Sequence, residues 1–340
     1  METRKLLKIL NEPYGVSGSE DSVSDLIQEL FQKHCDKVQK DALGNIIGYI
    51  PSGKKNAKKL MIDAHIDELG LIITGMEERG FLLFTPIGGT DVKILPGCEV
   101  TVFGKKPLYG VIGAKPPHLQ TAGEDKKLKA TDMAIDTGVL NIEDYVRVGD
   151  VAVYNSGFKA LTGDYVCARA FDDRAGIAVL LNFLEAIKGK ALAFDIYVCA
   201  AVQEELGLRG AKTAGFNVDP DYSITLDVTF GTSFNSTDSG SFELGKGPTI
   251  CMSPSLSKEL TDSLISIAKQ KEIPFQYEVE EGGTGTNAWA VQTAHSGCKS
   301  ALVSVPLRYM HSTCEVLNIK DVDDATKILT FFAEGGTFNA

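Results

Sequence analysis

Two adjacent carboxylates, Glu204 and Glu205, close an apolar run at residues 196–202. That run is β-rich and uncharged, so it reads as a buried strand of a central sheet. Ionised carboxylates are costly to desolvate unless something pairs with them. An isolated Glu-Glu is most simply a solvated loop, but other strand-like runs end in the same kind of residue. The run 60–64 leads into His65, with Asp67 two positions on. A neutral ring nitrogen of His65 can bind a metal while Asp67 accepts the other ring N–H and fixes the tautomer. The run 222–226 ends in Asp227, and the run 301–306 is followed by His311. Asp172 and Asp173 open a helix with Ile177, Leu180, Leu181 and Leu184 along one side. As helix caps they suit the positive end of the dipole; alternatively, one of them bridges two cations through its two oxygens.

In open α/β sheets ligands bind beyond the carboxyl ends of the strands, where His65, Glu204, Glu205 and Asp227 fall. The donors are nitrogen and oxygen with no thiolate. That set fits Zn²⁺, Co²⁺ or Mn²⁺ and argues against a cysteine-rich structural zinc site. Two divalent cations need four negative charges. Asp172, Glu205 and Asp227 supply three of them, and a bridging hydroxide would be the fourth and the nucleophile. Glu204 then stands beside a candidate ligand without a partner, where a general base is needed.

The elements that must position these residues read as a mixed α/β sheet protein with an insertion. Helical spacing covers residues 2–10 and 20–34, and residues 37–50 read as a hairpin turning at 42–45. The basic stretch 54–59 reads as a solvated hairpin loop. Between residues 70 and 163 short β-like runs alternate with Gly, Pro and Asp turns, the pattern of a small barrel or sandwich. The expected organisation is therefore a catalytic domain built from residues 1–69 and 164–340, interrupted by an inserted β-barrel domain at 70–163. The insertion carries none of the candidate ligands, so dimerisation or larger assembly is its expected role. His118 belongs to a proline turn in the insertion and reads as a surface residue. The loop 282–287 is glycine-rich but lacks the Gly-Lys-Ser/Thr ending of a phosphate loop.

Composition narrows the class. The 340 residues are 44% hydrophobic and 23% charged, as in an ordinary globular protein, with a net charge of −11. That charge argues against nucleic acid or anionic membrane partners. Apolar runs are too short to span a bilayer, and residues 1–7 lack a signal-peptide apolar region, so a cytoplasmic location is expected. Seven scattered cysteines, with no Cys-x-x-Cys, read as reduced thiols.

Five motifs occur in order over nearly the whole chain: DAHIDELG at 63–70, AFDDR at 170–174, VQEELGLRGA at 202–211, LDV at 226–228 and PLRYMHS at 306–312. Together they resemble the M42 family of dinuclear metallo-aminopeptidases, the tetrahedral and glutamyl aminopeptidase group. The resemblance implies a zinc-peptidase catalytic fold with a PDZ-like inserted barrel. It implies two divalent metal ions, Zn or Co, with His65 and Asp227 holding one, Glu205 and His311 the other, and Asp172 bridging. Glu204 would be the general base and Asp67 the residue orienting His65. Short peptides would be the substrates, hydrolysed at the N-terminal residue by a metal-bridging hydroxide. Homo-oligomers from dimers to tetrahedral dodecamers are implied as well. One departure is visible: the family often carries Asp where this chain has Asn287, which removes a negative charge. A glycoside hydrolase is the rival enzyme, but its paired carboxylates must flank a sugar ~5–9 Å apart, whereas Glu204 and Glu205 are neighbours. A non-catalytic assembly protein would not need the ligand set at all.

Overall fold

The computed structural model describes residues 2–116, 128–234, 236 and 240–335; His118 lies outside them. The strands in chain order are β1 (Lys37–Lys40), β2 (Ile46–Ile50), β3 (Lys59–His65), β4 (Gly70–Met76), β5 (Leu82–Ile87), β6 (Glu99–Phe103), β7 (Pro107–Ala114), β8 (Met133–Asp136) and β9 (Val151–Tyr154). Then come β10 (Lys159–Ala160), β11 (Tyr165–Ala168), β12 (Asp195–Ala201), β13 (Tyr222–Phe230), β14 (Thr249–Met252), β15 (Gln276–Val279), β16 (Lys299–Arg308) and β17 (Glu315–Asn318). The helices are α1 (Thr3–Leu10), α2 (Asp21–Phe31), α3 (Phe171–Ala186), α4 (Arg209–Val218), α5 (Lys258–Gln270), α6 (Ala288–Val291) and α7 (Ile319–Ala333).

The large sheet runs β1-β2-β12-β3-β13-β16-β17-β11-β10, with β14 beside β16 and β15 beyond it. Its centre, β12-β3-β13-β16, is parallel, and the flanking pairs β1-β2, β2-β12, β16-β17, β17-β11 and β11-β10 are antiparallel. Helices cover both faces, which is why the central strands are continuously apolar rather than alternating. Leu60, Ile62 and Ala64 of β3 join the core under α1, α3 and α7. Met61 faces the other way, with Cys199 and Ala201, against Ala211 and Ala214 of α4 and Val291 of α6.

The barrel closes as β4-β5-β8-β7-β6-β9 around its own core of Leu71, Ile73, Leu82, Phe84, Val100 and Ile135. Three features differ from the sequence reading. Strand β10 pairs with β11 and so belongs to the large sheet, not to the barrel. Residues 54–59 do not close a hairpin, because β12 lies between β2 and β3. Cys167 and Cys314 form a disulfide, their Cα atoms 6.2 Å apart, because β11 pairs antiparallel with β17 immediately after Cys314.

What positions the site is a divergence in the middle of the sheet. The β3–β13 ladder ends at Asp63 opposite Thr225, yet β13 continues along β16 as far as Phe230 opposite Leu307. A crevice opens between the end of β3 and the outer half of β13. This is where ligand sites of parallel sheets lie. No helix among the described residues is long and apolar enough to cross a membrane.

Candidate metal centre

The crevice gathers the predicted residues. His65 is the last residue of β3 and is buried. Glu204 and Glu205 follow β12, Asp172 lies in the first turn of α3, and His311 follows β16. Asp227, expected at a strand end, lies inside β13, opposite Ser304, in the stretch that has left β3. These six residues line one cleft of about 260 Å³. The two oxygens of Asp172 face different histidines: Oδ1 is 3.0 Å from His65 Nε2, and Oδ2 is 3.3 Å from His311 Nε2. Glu205 Oε1 is 3.4 Å from the same His311 nitrogen. Three overlapping groups have donor atoms within 4.8 Å of one another: His65, Asp172 and Asp227; His65, Glu204 and Glu205; Asp172, Glu205 and His311.

The choice between Asp172 and Asp173 as helix cap is now visible. Asp173 Oδ1 accepts the Gly176 N–H at 2.9 Å, leaving Asp172 to face the cleft.

Asp67 lies behind the cleft, fully buried. The His65 Nδ1 atom is 3.1 Å from the Asp67 main-chain carbonyl and 3.4 Å from its carboxylate. That carboxylate has further work. It accepts the backbone N–H of Glu204 at 2.9 Å, that of Glu205 at 3.1 Å, and the Ser17 hydroxyl. Gln203, just before them, has a left-handed φ of 54°, and its N–H is accepted by Glu20 at 3.2 Å. Asp67 therefore holds the backbone of the paired glutamates as well as the ring of His65. Asp67→Asn replaces one acceptor oxygen by a donor. Metal affinity or turnover should fall by ~10–100-fold, as for other outer partners of metal sites; metal titration beside turnover checks it, and unchanged values of both would contradict the role.

The electrostatics ask for cations. Burial pushes Glu204 up to about 9, with His65 opposing and Asp227 and Asp172 adding to the rise. Burial carries Asp227 to about 8, with His65 opposing and Asp172 adding to the rise, and burial together with Asp172 carries Glu205 to about 7. Burial also acts on Asp172, but hydrogen bonds from His311 and His65 outweigh it and hold the carboxyl well below its usual range. Among the described residues, no lysine or arginine lines the cleft. Clustered buried carboxylates with imidazole nitrogens and no basic side chain are a donor set that fits divalent metal ions.

Comparison with known proteins agrees. A family profile described as M42 glutamyl aminopeptidase matches residues 44–328. The lysyl aminopeptidase of Pyrococcus furiosus is 34% identical over 332 residues, covering 95% of this chain and 94% of that protein. The chain belongs to the M42 family. Membership makes it a metal-dependent aminopeptidase, a hydrolase acting on peptides. Among solved structures, the TET aminopeptidase of a marine sediment archaeon, Thaumarchaeota archaeon SCGC AB-539-E09, superposes with a TM-score of 0.93 at 32% identity, covering 98% of this chain and 97% of the other. The TET1 peptidase of Pyrococcus horikoshii, which can assemble into a tetrahedron or a large octahedral shell, gives 0.84 at 33% identity, covering 98% and 99%.

Several residues of this M42 site escape sequence reasoning. Glu68 stands in the sequence only as one letter of a motif; in the fold it is buried and paired with Arg169 and Arg174. Glu315 holds two backbone N–H groups at the site. Gly89, in the loop after β5, brings the barrel against His311. A Cβ placed there would lie 2.8 Å from His311 Nδ1 and 3.1 Å from Cε1, a separation that forces movement. Gly-Gly in sequence signals only a turn, so nothing in the spacing points to a histidine so far along the chain. Gly89→Ala should displace the His311 ring and lower turnover by ~10–100-fold, since small misplacements at a reacting centre are costly. A crystal structure and turnover of the variant check this; an unmoved ring with full activity would contradict it.

Proposed function

We propose that this M42 enzyme binds two divalent cations, Zn or Co, in the cleft and removes N-terminal residues from short peptides. The observation that carries the reading is the Asp172 carboxylate, whose two oxygens face His65 and His311 separately. His65 and Asp227 would hold one ion, Glu205 and His311 the other, with Asp172 shared. Bound there, the ions supply Lewis acidity toward the scissile carbonyl and an acidified water at neutral pH. The chain's own residues do the rest. Glu204, grouped with His65 and Glu205 in the cleft, takes a proton from the attacking water and delivers it to the departing amine nitrogen. Asp67 fixes His65 and the Glu204–Glu205 backbone, so the base keeps its place through the reaction.

The cleft wall also bears on which peptides enter. Glu278 and Glu280 line it, with no lysine or arginine opposite among the described residues. Glu278 is buried, and its two oxygens accept the hydroxyls of Thr229 at 2.6 Å and Thr249 at 2.7 Å. Such a wall suits a basic or neutral first residue and repels an acidic one. It favours the activity named for the lysyl relative over the one named in the family description. We assign self-assembly, as dimers or larger shells like those of the TET relatives, in the cytoplasm, to the inserted barrel formed by β4 to β9. A glycoside hydrolase reading is not favoured, since the adjacent glutamates cannot flank a sugar.

The test is a panel of aminoacyl-chromogenic substrates with and without a chelator. Hydrolysis lost to the chelator, restored by Zn²⁺ or Co²⁺, and lower on glutamyl than on lysyl or leucyl substrates is the expected result. Chelator-resistant hydrolysis, or none with either metal, would overturn the reading.

A further inference from the structure

Glu315 opens β17 and is buried, with 3% of its surface exposed. No salt bridge to lysine or arginine involves it among the described residues, so it does not serve a buried ion pair. Its two oxygens go instead to two backbone donors on different segments. Oε2 accepts the N–H of Asp172 and Oε1 the N–H of His311, both at 3.1 Å. Those segments are conformationally costly. His311 has φ 59° and Tyr309 φ 60°, and Ala170, two residues before Asp172, has φ 54°. Residues other than glycine hold left-handed backbone only where the surroundings over-determine it. Asp67 does the same for the other pair, accepting the N–H groups of Glu204 and Glu205. The site is thus built around two buried carboxylates, each clamping the backbone of two cleft residues.

Resting on the dinuclear reading above, we infer that Glu315 is a positioning residue that sets the spacing of Asp172 and His311 and thereby the affinity of the cation between Glu205 and His311. Only a carboxylate of this length offers two acceptors to two facing N–H groups. In Glu315→Gln one of them meets an NH₂ instead, donor against donor, and one segment is released. The cation between His65 and Asp227 keeps those two residues and depends on the Glu315 clamp only through the shared Asp172, so it is affected less.

The experiment is titration of the metal-free protein with Co²⁺, read by the visible absorption of the bound ion and by metal per subunit, with circular dichroism for the fold. The wild type, titrated first, tests the dinuclear reading separately: fewer than two ions per subunit means that reading has failed. With two ions in the wild type, Glu315→Gln should weaken one of them by ~10–100-fold, with an altered spectrum, and the other clearly less. Glu315→Asp keeps both acceptors but shortens the reach, and should weaken the same ion by less. If the Gln variant does not fold, the Asp variant carries the test. Wild-type binding of both ions, or equal weakening of both as a general loss of structure would give, overturns the role of Glu315.

Discussion

In the proposed two-metal centre, Glu204→Gln should leave both ions in place and still lower turnover by ~10²–10⁴-fold, the usual contribution of a positioned acid–base group. The amide keeps the size of the acid and its place beside His65, but it cannot take a proton at neutral pH. Glu205→Gln should fail differently. Glu205 lies 3.4 Å from His311 and in one group with Asp172 and His311. Losing its charge would remove one of the negatives proposed to balance the cations. One ion should be lost or loosened, and heat stability should fall with it, because a bound ion stabilises the native state by mass action. The signature is a split between neighbours: chemistry alone changes in one variant, metal content in the other. Elemental analysis beside turnover on one substrate reads both. If Glu204→Gln loses metal while Glu205→Gln keeps it, the two roles are reversed. If both keep two ions and near-normal turnover, neither residue has the role assigned here.

The second large effect concerns stability rather than chemistry. Glu68 is 3% exposed and Arg174 1% exposed. Glu68 Oε1 accepts from Arg174 at 2.7 Å and from the Gly15 N–H at 2.8 Å, while Oε2 pairs with Arg169. Arg174 also donates to the carbonyls of Leu10 and Pro13, so the network ties the end of β3 to the segment after α1 and to the start of α3. Glu68→Gln would leave two buried guanidinium groups without a counter-charge. Removing one partner of a buried pair costs about 3–5 kcal/mol, and denaturant unfolding of the metal-free protein should show it. A loss below about 1 kcal/mol would mean that water or neighbouring carbonyls already compensate the arginines. The same network sets a pH dependence. Burial raises the Glu68 carboxyl, but Arg169 and Arg174 outweigh it and hold it below its ordinary 4.5. Its stabilisation is therefore present above that value and is lost as pH falls through the lowered one.

Some of this is legible from residues alone, for identifiable reasons. Parallel strands buried on both faces leave uninterrupted apolar runs, so β3, β12, β13 and β16 stand out, and a histidine or acid at or near the end of such a run is conspicuous. The barrel announces itself through short runs and turn residues, although β10 is swept into it because two exposed residues carry no pattern. Asp227 looks like a strand end because the apolar run stops there; the backbone ladder with β16 does not. What stays hidden depends on contacts across the chain. The acid of Glu315 and the glycine at 89 carry no local signal, since each matters only through a partner brought close by folding. Asp67 is half legible. Its place two residues after His65 suggests a ring contact, but its hold on the Glu204–Glu205 backbone comes from the β3–β12 pairing. The Cys167–Cys314 bridge escapes the sequence for the same reason, the two residues being 147 positions apart.

Anomalous diffraction from crystals of the protein loaded with Zn²⁺ or Co²⁺, recorded at the absorption edge of that metal, counts and places the ions. Two peaks are expected in the cleft, one between His65 and Asp227 and one between Glu205 and His311, with Asp172 reaching both. A single peak, or peaks away from these residues, would contradict the proposed two-metal centre.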